Sequence, residues 1–348
     1  IDLVELRTAH VDALKLAVKE LYRQILSLLS TDKILGIGCQ VMSYIIGSAG
    51  ALSSLSSFVR KERWVKPSFD VEIGEIDNEN NNAPACLDVV EMRHPVIEAM
   101  MGEKGDVGQS LFVGNDLKIS GRRKTDDNTN TDNTTQGLIL TGPNCGGKSV
   151  LLKTTAIIII LAQIGCYVPA RQCTIRGAPF EGIMVRSGGT GGDEIKGVST
   201  FYVEVEELSK FLSICESDAK HNTLNNNNNT NIGPRPNRCL ILVDELGRGT
   251  STSDGEALAI ATFNYILKHG CAAIFTTHYT RLNEIRYSGV SGAHNGHMAY
   301  KRVDNTDEKE DDEKDESVAS YVKFLYKLVP GASKESYGLN CAKMAGIE

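Results

Sequence analysis

Eight consecutive residues, Gly142-Pro143-Asn144-Cys145-Gly146-Gly147-Lys148-Ser149, combine the groups needed to hold a chain of phosphates. Glycines let backbone N–H groups turn inward around phosphate oxygens, and a helix starting here adds a favourable dipole. Lys148 can reach the outer phosphates, and the Ser149 hydroxyl can bind Mg2+. The apolar run Leu138–Leu140 precedes the loop and an apolar segment from Val150 follows it. That is the strand–loop–helix setting this chemistry requires; an incidental glycine turn carrying a Lys-Ser pair would lack it.

A second group lies downstream. Arg238-Cys239-Leu240-Ile241-Leu242-Val243 reads as a buried strand ending in Asp244-Glu245. A carboxylate at the C-terminal end of a parallel strand can hold Mg2+, directly or through water, which gives Asp244 its role. Glu245, one residue on, is placed to act as general base toward an attacking water. Alone, an apolar run ending in two carboxylates is common; with Lys148 the two become halves of one site. The turn Leu246–Gly255 follows, with Ser253 or Asp254 expected to cap a helix near Ala257–Leu267. His278 comes just past the strand-like Ala272–Thr276. A histidine in that position is by itself more often structural than catalytic.

These groups need a scaffold of alternating strands and helices. The clearest strands are Leu138–Thr141, Leu240–Val243, Ala272–Thr276 and Tyr321–Leu328, and the first three each lead through a turn into a helical stretch. Such alternation predicts an α/β domain with a central, mainly parallel sheet. Upstream the pattern is helical: Leu14, Ala17, Val18, Leu21, Ile25, Leu28 and Leu29 fall on one face, as do Val41, Ile45, Ala49, Leu52 and Leu55. That period implies packing rather than chemistry. The stretch Trp64–Asp70, with Pro67, ends it.

Asn-, Asp- and Thr-rich stretches at 77–82, 126–135 and 222–231 bury too little apolar surface to order themselves and are expected as surface inserts. The acidic run 304–316 is expected as a solvated loop. Nine cysteines without a C-x-x-C pair favour reduced thiols over a disulfide framework or zinc site. The net charge of −7 gives no basic footprint for nucleic acid. The apolar Ala156–Val168 is too short for a membrane span and suits a buried helix, although Gln163 interrupts it. The chain opens at Ile1 rather than Met, and is read as a piece of something longer.

Taken in order, Thr141–Ser149, Tyr167-Val168-Pro169-Ala170, Ser199-Thr200-Phe201 with Glu204, Asp244–Ser251 and Thr277-His278-Tyr279 resemble the ATPase domain of MutS homologues, from about Trp64 to Ala345. The resemblance implies a P-loop NTPase of ABC type at 64–348, preceded by a helical lever segment at 1–63 and cut off before its C-terminal dimerisation helices. Within the family, Gly165–Ala170, Gly296–Ala299, Phe324–Lys327 and Ser336–Gly338 are most similar to the eukaryotic subunit six.

By this resemblance the nucleotide, ATP or ADP with Mg2+, would be bound by Phe112, stacked on adenine, and by Gly142, Pro143, Asn144, Cys145, Gly146, Gly147, Lys148, Ser149 and Val150. Ser149 and Asp244 would hold the metal, while Lys148, Glu245 and His278 carry catalysis, His278 through the γ-phosphate. Ser199 would be the signature serine serving a partner subunit's nucleotide, and Thr250 and Ser251 would lie at the dimer contact. The implied function is a Mg-dependent ATPase with a composite site, driving a DNA clamp in mismatch repair. The implied setting is nuclear, with a second MutS homologue as partner, mismatched DNA bound through regions absent from this chain, and no membrane. Cys145 stands where the family usually has Met and Val150 where it has Thr. The stretch Arg186–Asp193 is richer in glycine than the family pattern, and no Phe-x-Glu mismatch-reading motif occurs. The alternatives are a meiotic recombination MutS homologue, a transporter or chromosome-maintenance ATPase, which would show Leu-Ser-Gly-Gly before the acidic strand, and a binding module that does not turn nucleotide over.

Overall fold

The computed structural model describes residues 13–25, 27, 33–61, 64–70, 83–102, 112–122, 135–187, 200–216, 234–287, 292–303 and 321–333. Ser199, the acidic run 304–316 and the inserts at 77–82, 126–134 and 222–231 lie outside the described residues. The chain divides into two compact units, residues 1–62 and 63–348.

The first unit is helical, with α1 over residues 13–25 and α2 over Lys33–Lys61. Among its described side chains the expected apolar stripe is largely exposed. Leu14, Val18, Leu21, Ile25 and Ile45 remain 46% to 58% exposed.

The second unit holds two sheets. The smaller contains β1 (Ser68–Asp70), β2 (Ala85–Met92), β3 (Asn115–Ser120) and β5 (Gln172–Gly177), in the order β1-β5-β2-β3. In it β2 runs antiparallel to both β3 and β5, and the short helix α3 (Pro95–Gly102) follows β2. The larger contains β4 (Gly137–Thr141), β6 (Gly182–Arg186), β7 (Cys239–Asp244), β8 (Ala272–Thr276), β9 (Ala293–Val303) and β10 (Tyr321–Pro330), in the order β10-β9-β4-β8-β7-β6. Its pairings are parallel except at β9–β10. The fold is therefore α/β with a mainly parallel central sheet.

Strands buried on both faces read as unbroken apolar runs, because alternate side chains enter two different cores. From β4, β7 and β8, Leu138, Leu140, Leu240, Leu242, Ala272 and Ile274 join one core. That core also takes the inward faces of β2, β3 and β5, and one helix, α4 (Lys148–Gln163). Helix α4 thus packs between the sheets. The intervening Ile139, Ile241, Val243, Ala273 and Phe275 enter the opposite core with α5 (Thr200–Cys215) and α6 (Thr252–Lys268). There Phe263 meets Phe275 edge-on at 5.0 Å between ring centres.

Two local expectations are corrected. The helix expected over Ala156–Val168 ends at Gln163, whose amide donates to Phe180 O at 2.9 Å and accepts from Phe180 N at 2.7 Å, tying the end of α4 to the turn before β6. Helix α6 starts earlier than expected, and its cap is Ser251, whose hydroxyl oxygen accepts from Asp254 N, rather than Ser253 or Asp254.

Candidate active site

The loop from Gly142 to Ser149 leaves the end of β4 and becomes the first turn of α4. Gly142 and Gly147 have φ of 130° and 99°, which only glycine adopts without strain, and Cys145 follows them into the left-handed region at 64°. The loop is curled on itself: Gly146 N donates to Pro143 O at 3.2 Å. Gly147, the N-cap of α4, provides no side-chain cap, which leaves first-turn N–H groups directed into the loop's concavity. Lys148 is 95% buried, since its residual exposure is 5%, and its ammonium donates to Gly142 O at 2.9 Å and Pro143 O at 3.2 Å.

Strand β7 delivers the two carboxylates, and β8 fixes them. Thr276 donates its hydroxyl hydrogen to Asp244 Oδ1, and its Oγ1 accepts from Glu245 N at 3.1 Å. Glu245 is thereby held at φ 52°, an uncommon backbone for a non-glycine residue. Its carboxylate turns to the loop, with Oε1 3.9 Å from Lys148 Nζ and 3.0 Å from His278 Nε2. Arg248 contacts the other oxygen, Oε2.

His278 Nε2 also lies 3.1 Å from Asn144 Oδ1. Burial, then the charges of Lys148 and Arg248, holds the His278 pKa below its usual 6.5 against the opposing pull of Asp244. The ring is therefore neutral at pH 7. An ionised carboxylate only accepts, so the ring proton sits on Nε2, facing Glu245 and Asn144.

A cavity of about 160 Å³ opens beside the loop. Its wall is largely apolar and includes Phe112, Met92, Val113, Cys145, Met298 and Tyr326. Gly147 and Val150 belong to the same wall, so the cavity is continuous with the phosphate loop.

Behind the site, Arg186 at the end of β6 pairs with Glu204 of α5 at 2.7 Å, both side chains more than nine-tenths buried. Arg186 also donates to Asp244 O at 3.4 Å, and Glu204 accepts from Gly247 N at 3.1 Å. Tyr279 closes the turn by donating its hydroxyl to Gly247 O at 3.1 Å.

Asn144, Lys148, Asp244, Glu245 and His278 therefore converge, and Phe112, Cys145 and Val150 line the adjoining cavity. Ser149 and Asp244 offer hard oxygen donors that fit Mg2+, an ion that takes the rest of its shell from phosphate and water. Among the described residues no group of three or more His, Cys, Asp or Glu could hold a metal by itself. Ser251 is exposed and Thr250 half-buried, in the turn after β7. The sequence reasoning missed Met298, Tyr326, Arg186 and the hydrogen bonds of Asn115. Tyr326 has φ 53°, a backbone no local sequence signal announces for tyrosine.

A family profile described as MutS domain V matches residues 138–223 and 230–348. The chain is 35% identical over 306 residues to the DNA mismatch repair protein Msh3 of Dictyostelium discoideum, covering 87% of this chain and 18% of that protein. It is 32% identical over 306 residues to MSH3 of Phaeosphaeria nodorum, covering 87% and 21%. It is 31% identical over 303 residues to MutS of Anaeromyxobacter sp. strain K, covering 87% and 28%. The chain thus spans 18% to 28% of the length of these relatives. Their names support the family and do not single out subunit six.

Proposed function

The chain belongs to the MutS family, and from that premise we propose that its second unit binds ATP with Mg2+ and hydrolyses it to ADP and phosphate in a mismatch-repair MutS homologue. The observation that carries this reading is the meeting of Lys148, Glu245 and His278 from three separate elements within 3.9 Å of Glu245 Oε1. Phosphoryl transfer asks a protein mainly for positioned charge, and this arrangement supplies it.

In that reading the loop amides and Asn144 hold the phosphates, and Lys148 turns from its carbonyl partners to the outer phosphates. Ser149 and Asp244 would hold Mg2+, whose charge offsets that of the phosphates. Glu245 takes the proton of the attacking water, and neutral His278 donates from Nε2 to a γ-phosphate oxygen. The largely apolar cavity, with Phe112 and Tyr326 in its wall, would take the adenine ring. Ser199, one residue before α5, would serve a nucleotide in a second MutS homologue, with Thr250 and Ser251 at the contact. The lever role of residues 1–63, contact with mismatched DNA through regions outside this chain, and nuclear residence belong to the same proposal. The stretches Gly165–Ala170 and Phe324–Lys327 favour subunit six, whereas two relatives carry the name Msh3. The proposal therefore stops at MutS homologue.

MgATP should raise the melting temperature of the chain by ligand linkage. Lys148→Ala should remove most of that shift, and Glu245→Gln should keep it while stopping phosphate release, because an amide accepts no proton. An undiminished shift in Lys148→Ala would overturn the loop assignment. Undiminished turnover in Glu245→Gln would remove Glu245 as the base.

A further inference from the structure

The larger sheet's antiparallel hairpin is not regular. Register between β9 and β10 is lost between Phe324 and Leu328, and Tyr326 sits inside this bulge in the left-handed region. A bulge re-aims a side chain, here into the cavity beside the phosphate loop. A left-handed tyrosine persists only where its surroundings hold it there.

The holding groups come from the other sheet. Asn115, the first residue of β3, is buried and makes three hydrogen bonds. Its amide nitrogen donates to Tyr326 O at 2.9 Å and Val113 O at 3.3 Å, and its oxygen accepts from Leu328 N at 2.6 Å. These replace the ladder partners that the bulge removes. Lys327 fastens the same joint from the opposite side, donating to Gly114 O at 2.8 Å and lying 3.4 Å from Asp116 Oδ2. Phe112 stands three residues before Asn115, so one aromatic wall of the cavity lies on the segment leading into β3, the other in β10, and the clamp joins the two.

We propose that Asn115 and Lys327 are positioning residues that fix the gap between Phe112 and Tyr326, and so set how tightly the site grips a planar nucleobase. This rests on the nucleotide reading given above. The clamp does not touch the phosphate loop by any of these bonds. Loosening it weakens the hold on the base and leaves the hold on the phosphates.

The test compares two probes on the full chain, MgADP and magnesium tripolyphosphate, the second having no base. Asn115→Ala and Lys327→Met should each raise the dissociation constant for MgADP roughly tenfold, as expected for one or two lost hydrogen bonds. Tripolyphosphate affinity should stay within about twofold, less than a single lost bond would change it. Lys327→Met keeps Asn115 in place and so reports even where Asn115→Ala does not fold. Unchanged MgADP affinity in the variants, or an equal loss for both probes, would overturn the clamp. A wild-type chain that binds neither probe would instead bring down the nucleotide reading beneath it.

Discussion

His278 titrates where experiment can follow it. Its neutral form is favoured in the folded chain, first by burial and then by Lys148 and Arg248. Because the folded pKa lies below the unfolded value, the unfolded chain takes up the proton first as pH falls. The stability associated with His278 is therefore complete above about pH 6.5 and is lost as pH falls through that value toward the folded pKa. His278→Gln should flatten the fall in melting temperature between roughly pH 7.5 and 5.5. Some fall should remain, since burial also lowers the pKa of His94. Superimposable profiles for variant and wild type would show that His278 does not sit among those cations. The positions of Lys148 and Glu245 were legible in the sequence because an apolar strand run leads into the loop that carries each, whereas His278 stood out only through the family resemblance. Tyr326 was not legible, since its place depends on a bulge and on an asparagine from a distant strand.

Helix α5 is joined to the acidic strand end through Arg186, which pairs with buried Glu204 and, more loosely, with exposed Glu207. Arg186 and Glu204 link β6 to α5, and their further bonds reach Asp244 O and Gly247 N. Glu204→Ala leaves Arg186 with only the exposed Glu207, 3.4 Å away, so it should cost about 3 kcal/mol in denaturant unfolding, the low end for breaking a buried pair. The double variant Arg186→Met, Glu204→Leu should recover most of that loss, as apolar replacement of a buried pair often does. Additive losses in the double variant would mean the two side chains do not act as a pair. The pair escaped sequence reasoning because no spacing rule joins residue 186 to residue 204. The strands themselves were readable: β4, β7 and β8 alternate between two apolar cores, which leaves an uninterrupted apolar signature. Strand β9, with half-buried residues such as His294, Asn295 and Ala299, carries no such run.

Across the molecule, the proposed division of labour between this chain's own pocket and Ser199 makes turnover depend on association. Phosphate release per chain should rise with protein concentration, or on adding a second MutS homologue, while nucleotide affinity changes little. A matched and a mismatched duplex should affect the rate alike, since the net charge of −7 provides no basic footprint. Concentration-independent turnover by a chain shown to be monomeric would exclude the shared site. The overall division into two sheets was not legible beforehand, because register between strands far apart in sequence is set by packing rather than by local pattern.

The meeting of β3 and β10 has a consequence for how the protein avoids sticking to itself. Among the described residues each is the last strand of its sheet, and a bare last strand offers unpaired backbone groups to any passing chain. Here Asn115 occupies Tyr326 O and Leu328 N, while Lys327 occupies Gly114 O, so the two edges guard one another at the joint.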